Sequence, residues 1–196
     1  MLQKTNFLSS SSNPSKEHKS RKLRYIFLFF LPMLGSSSSI AAMSPPPLTP
    51  KHDVFLSFRG EDTRYNFISH LYAELCRKNI KTFIDYELVR GEEVLPAPSK
   101  AIEESKIYVV VLSEHYASST WCLDELTKIL ECKHRYGRDV IPVFYKVLPS
   151  NVRHHRQSFA EAFGTHQHRY KDKVDAWKVA LTQVVALSGW DSQVTR

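Results

Sequence analysis

The sequence predicts an α/β protein in which a parallel sheet of four to five strands carries helices on both faces. Two observations predict it. Short β-rich runs alternate with runs of helical period from Asp53 onward, in the order β-α-β-loop-α-β-α-β-α, and such alternation implies parallel strands joined by helical crossovers. The run IYVVVL at 107–112 is apolar without interruption, as a strand covered on both faces must be.

The elements follow in order. DVFLSF at 53–58 is a β-rich run closed by Arg59 and Gly60. YNFISHLYAELCRK at 65–78 places Phe67, Ile68, Leu71, Leu75 and Cys76 near helical spacing. KTFI at 81–84 is a second short strand, and the segment 91–101 opens as a loop because Pro96 and Pro98 oppose helix there. AIEES at 101–105 makes a helical turn before the apolar third strand. TWCLDELTKILECKHR at 120–135 is an amphipathic helix with Leu123, Leu126, Ile129 and Leu130 inward. DVIPVFY at 139–145 is a fourth strand, and its Pro142 has no N–H for a ladder, so it belongs where a neighbour is missing. DKVDAWKVALTQVVALSG at 172–189 is a helix with Val174, Trp177, Leu181, Val184 and Val185 at core spacing and Gly189 as its C-cap. Any fifth strand is short and is expected between about residues 150 and 172. Right-handed crossovers favour the strand order 2-1-3-4-5.

Residues 1–51 differ from the rest. Serine runs stand at 9–12 and 36–39, and a basic cluster from Lys16 to Arg24 precedes the apolar run YIFLFFLPML at 25–34. That run is shorter than the roughly 20 residues of a membrane span, so no transmembrane helix is expected. Three readings stay open: a signal peptide with a long basic region, an organelle transit peptide, or an upstream extension of a protein whose translation starts at Met43. SPPPLTP at 44–50 reads as a stiff linker. The expected organisation is a tail over 1–51, one domain over 52–191, and a short tail over 192–196.

The net charge is +7, which by itself would suggest nucleic acid or an anionic membrane. The charge is concentrated in the tail. Residues 1–52 hold seven basic residues and one acid, out of totals of 27 and 20, and leave 20 and 19 for the rest. The folded part is nearly neutral, so no nucleic-acid partner is expected. Cys76, Cys122 and Cys132 lack C-x-x-C spacing and are expected to be buried, reduced thiols.

In open parallel sheets, ligands bind at the carboxyl ends of the strands where the winding reverses. With order 2-1-3, that crevice lies between strands 1 and 3. It is bordered by RGEDTR at 59–64 and SEHYASSTWCLDE at 113–125. These segments hold Arg59, Arg64, Ser119, Trp121 and Glu125: cations for phosphates, a hydroxyl, an aromatic face and a carboxylate, a set suited to a dinucleotide. Structural roles compete. Arg59 and Asp62 can form a loop ion pair, Trp121 can be a core residue, and Asp124 and Glu125 can simply complement a helix dipole. The Walker and Rossmann glycine loops are absent. A phospho-accepting receiver would need an aspartate where Ser113 stands. The pairs His154–His155 and His166, His168 lack a cysteine or carboxylate pattern, so no metal is expected and the histidines are read as exposed.

DVFLSFRGEDTR at 53–64 closely resembles the opening of plant Toll/interleukin-1 receptor (TIR) domains. The resemblance continues through IKTFID at 80–85, RGEE at 90–93, AIEES at 101–105, YASSTWCLDEL at 116–126, KILECK at 128–133, VIPVFY at 140–145 and ALSGW at 186–190. It implies a flavodoxin-like fold, NAD(+) nucleosidase activity with NAD(P) as substrate and no cofactor, and immune signalling by self-association. By this resemblance Glu125 is the catalytic glutamate, Ser119 and Trp121 line the pocket, and Arg59 and Arg64 hold the phosphates. The loop from Glu87 to Ala97 would gate the pocket or form contacts between subunits. Ser69 and His70 match a pair used for symmetric helix-to-helix contact with other TIR domains, in homo- or hetero-oligomers. Leu148 stands where the family usually has an acid, and Pro98 where it often has leucine, which puts assembly in question more than fold. The nucleotide-binding and leucine-rich-repeat regions that often follow are missing, so the resemblance implies a TIR-only protein or a truncated receptor. It favours the cytoplasm. The alternative to an enzyme is a non-catalytic adaptor that only recruits other TIR domains.

Overall fold

The computed structural model describes residues 49–84 and 98–193. The segment 85–97, which contains the expected gating loop, and the tail over 1–48 lie outside them.

Strand β1 (His52–Phe58) is followed by a short helix α1 (Gly60–Thr63), a π-helical turn (Arg64–Ile68) and helix α2 (Ser69–Arg77). Next come β2 (Thr82–Ile84), α3 (Pro98–Glu103) and β3 (Ser105–Leu112). A 3₁₀ turn (Tyr116–Ser118) leads into α4 (Thr120–Tyr136) and β4 (Asp139–Phe144). Helices α5 (Pro149–Arg153), α6 (Ser158–Arg169) and α7 (Lys171–Val185) precede β5 (Trp190–Asp191). All strand pairs are parallel, in the flavodoxin-like order β2-β1-β3-β4-β5.

Alternation along the strands divides the core in two. Phe55, Tyr108, Val110 and Leu112 pack into one cluster with Leu123, Leu126 and Ile129 of α4 and Trp177, Leu181 and Val184 of α7. Val54, Leu56, Val109 and Val111 are equally buried but point to the other face, as a period of two requires. Leu71 and Leu75 of α2 are buried outside the first cluster and belong to that second side. Both faces of β1 from Val54 and of β3 from Ile107 are therefore dry, which is why these stretches are mostly apolar.

Several expectations need correction. The first helix does not begin at Tyr65: helical structure starts at Gly60, directly after β1, and the π turn re-phases it so that Ile68, Leu71 and Leu75 share the buried face. The fifth strand is not between 150 and 172, where most of α5 and all of α6 lie, but follows α7. At two residues it carries no periodicity to detect. Gly189 is not a C-cap, because α7 closes at Ala186. A Cβ on Gly189 would fall 2.6 Å from the Pro142 carbonyl oxygen and 2.7 Å from its Cγ, so the residue is glycine for close approach of the chain to β4. Pro142 sits one residue before β5 begins to pair, at Val143, so its missing donor interrupts no bridge on that side. Cys76 is exposed, whereas Cys122 and Cys132 are buried. His166 is buried: its Nε2 lies 2.9 Å from the Ala117 carbonyl oxygen and its ring packs edge-on against Trp177.

Candidate functional site

The carboxyl ends of β1 and β3 are joined by side chains from the two segments that follow them. Asp62 of α1 reaches across to the exit of β3. Its Oδ2 accepts from the Ser113 hydroxyl at 2.6 Å and from the His115 backbone N–H at 2.9 Å, and its Oδ1 lies 3.0 Å from His115 Nδ1. Burial alone would raise the Asp62 carboxyl, but these hydrogen bonds more than offset it and hold the group below its ordinary range. Arg59 does not pair with Asp62; its salt bridge is to Glu61, at 2.7 Å.

Glu125 enters the same crevice from the second turn of α4, half-buried. The Ser57 hydroxyl, from the last turn of the β1 ladder, donates to Glu125 Oε2 at 2.8 Å. Ser57 also lies 2.9 Å from the Tyr116 hydroxyl, which in turn lies 3.0 Å from the Cys122 carbonyl oxygen. Tyr116 is wholly buried, and burial pushes its phenol well above the usual range, so it stays protonated. The Cys122 thiol closes the wall, 3.5 Å from the Phe58 carbonyl oxygen.

Arg59 and Arg64 lie on the segment that follows β1, at the carboxyl end of the strand. A Cβ on Gly60 would lie 2.7 Å from Arg64 Nη2, so the Arg64 guanidinium is folded back over that glycine. The Nε atoms of Arg59 and Arg64 are both buried without a hydrogen-bond partner. Unpaired buried donors are costly, and two of them beside the crevice fit an anionic ligand such as a pyrophosphate.

Two residues of the expected pocket have different settings. Ser119 is buried and caps α4, its hydroxyl accepting from the Cys122 N–H at 3.3 Å. Trp121 is 68% exposed, so it is not a core residue, and its ring face is open to solvent or ligand. Asp124, one residue before the glutamate, points away from the crevice. It accepts from Trp177 Nε1 and from Lys173 Nζ, each at 2.9 Å, and ties α4 to α7. Ser69 and His70 are both exposed on α2, outside the crevice. Of the neighbouring pair His154 and His155, His155 Nε2 lies 3.1 Å from the Lys178 carbonyl oxygen and His154 is exposed.

Ser57, Tyr116 and Asp62 were not singled out in the sequence as part of this site. A signal for Ser57 exists, since it is the only polar residue in the run VFLSF at 54–58, next to the carboxyl end of β1. Tyr116 and Asp62 give no such signal, because their partners lie 59 and 51 residues away along the chain.

This geometry coincides with a family match. The family model described as TIR domain matches residues 51–196, and the chain belongs to the TIR domain family. Disease resistance protein RPV1 of Vitis rotundifolia is 52% identical over 162 residues, covering 80% of this chain and 12% of that protein. TMV resistance protein N of Nicotiana glutinosa is 49% identical over 160 residues, covering 80% of this chain and 13% of that protein. The chain thus spans only the TIR portion of these much longer relatives. Among solved structures, the TIR domains of the activated Roq1 resistosome, which directly recognises the pathogen effector XopQ, superpose with a TM-score of 0.67 and 48% identity, covering 74% of this chain and 90% of that one. Among the described residues no helix is long and apolar enough to cross a membrane.

Proposed function

We propose that this chain is an NAD(+) nucleosidase of plant immune signalling, with Glu125 as the catalytic carboxylate. The observation that carries the reading is the position of Glu125: a half-buried carboxylate fixed at the topological switch point, with two arginines bearing unpaired buried donors beside it.

One carboxylate suffices for this chemistry. Cleavage breaks the bond between ribose C1′ and the nicotinamide nitrogen, and its electron pair leaves with nicotinamide, which departs neutral and needs no general acid. Water adds to C1′ and loses a proton, giving ADP-ribose; a ribose hydroxyl adding instead would give a cyclic product. The transition state carries positive charge on the ribose, which a nearby carboxylate stabilises as in glycosidases. Arg59 and Arg64 would hold the pyrophosphate, and the exposed face of Trp121 would lie against a ring of the dinucleotide.

Signalling would proceed through assembly with other TIR domains, as the Roq1 relative's resistosome does, with Ser69 and His70 on the contact face and the cytoplasm as the compartment. A pure adaptor would use the same surfaces without needing Glu125. The deciding experiment is nicotinamide release from NAD by wild type and Glu125→Ala. Loss of release from a Glu125→Ala protein that still unfolds cooperatively supports the enzyme; equal release from both proteins sinks it.

A further inference from the structure

The hydroxyls of Ser57 and Tyr116 make a buried chain that ends on the glutamate of the crevice. Both residues are 0% exposed. Ser57 shares the face of Phe55 in β1, where the core is otherwise apolar, so packing alone would accept a small apolar residue at position 57. A buried hydroxyl is costly unless paired, and this one is paired on both sides, to Glu125 Oε2 at 2.8 Å and to Tyr116 at 2.9 Å.

Proton counting shows what the chain does. An ionised carboxylate only accepts, so Ser57 gives it its proton. Ser57 then has an acceptor site for the Tyr116 proton, which lies between Ser57 and the Cys122 carbonyl oxygen, and the donors run Tyr116 to Ser57 to Glu125. Should Glu125 take up a proton, the direction reverses: Glu125 donates to Ser57, Ser57 to Tyr116, and Tyr116 to the Cys122 carbonyl oxygen, 3.0 Å away. All three groups stay bonded in either state. The series therefore holds the carboxylate in place throughout a reaction cycle.

We infer that Ser57, backed by Tyr116, is a positioning residue of Glu125, holding the carboxylate at its Oε2. As a contribution to turnover this rests on the nucleosidase reading; as a structural tether it does not.

The test separates the two. Ser57→Ala removes the tether and leaves Tyr116 bonded to Cys122. Its kcat for nicotinamide release should fall about tenfold, the worth of one charge-assisted hydrogen bond, with KM for NAD within about twofold. Tyr116→Phe, which keeps the ring, should lower kcat by less. Independently of activity, Ser57→Ala and Glu125→Ala should be coupled in melting temperature: the serine substitution should cost less when Glu125 is already gone. Unchanged kcat in an active Ser57→Ala protein, or melting-temperature effects that simply add, would overturn the inference. Coupled melting temperatures in a chain that releases no nicotinamide would keep the tether and reject the nucleosidase reading.

Discussion

At the scale of single residues, neighbours in sequence have opposite settings. Asp124 and Glu125 are adjacent carboxylates on α4, yet one bonds Trp177 and Lys173 while the other enters the crevice, because adjacent helical residues point about 100° apart. Asp124→Ala is consequently no neutral control. It should lower stability by about 1 kcal/mol through the lost Trp177 bond, visible as a fall in melting temperature with Glu125 still in place. Ser119 offers a similar distinction. As a helix cap its replacement by alanine should cost about 1 kcal/mol and leave KM for NAD almost unchanged; a large rise in KM with no loss of stability would make it a substrate contact instead. Strand order pointed to the two segments that hold Arg59, Arg64 and Glu125, and the family resemblance to Glu125 within them. The actual roles of Ser119 and Asp124 could not be read in this way, since a cap and a cross-helix bond depend on the rotamers and on a partner helix 53 residues away.

At the scale of elements, Asp62 couples the segment after β1 to the exit of β3. Its carboxyl is held below the ordinary value of 3.8 in the folded chain. A depressed carboxylate contributes stability that is present above the unfolded pKa and is lost as pH falls through the folded one. Acid titration of stability should therefore show a smaller loss below about pH 4 in Asp62→Asn than in wild type; superimposable curves would remove Asp62 from this role. At the opposite edge, Gly189→Ala would set a methyl against the Pro142 carbonyl oxygen at 2.6 Å. Overpacking of this kind costs about 1–3 kcal/mol, and hydrogen exchange should show β5 released from β4. The central strands and α4 were legible because burial on both faces writes a continuous apolar run, and burial on one face a helical period. Strand β5 was not, because two residues have no period, and α1 was not, because a π turn between it and α2 breaks the pattern on which helix recognition rests.

At the scale of the whole molecule, the near-neutral domain offers little net repulsion against self-association, and Ser69 and His70 present a small hydroxyl and an imidazole on an exposed helix face. In a symmetric pair each lost contact is lost twice, so His70→Ala should weaken assembly without disturbing the crevice. The account's central claim is that this assembled domain cleaves NAD with Glu125. The most direct test is nicotinamide released per molecule of the full chain, measured across a wide range of protein concentration for wild type, His70→Ala and Glu125→Ala. The account predicts a wild-type rate that rises with concentration, a His70→Ala curve displaced to higher concentration, and no release from Glu125→Ala at any concentration. A wild-type chain that releases no more nicotinamide than Glu125→Ala, even at the highest concentration, would contradict it.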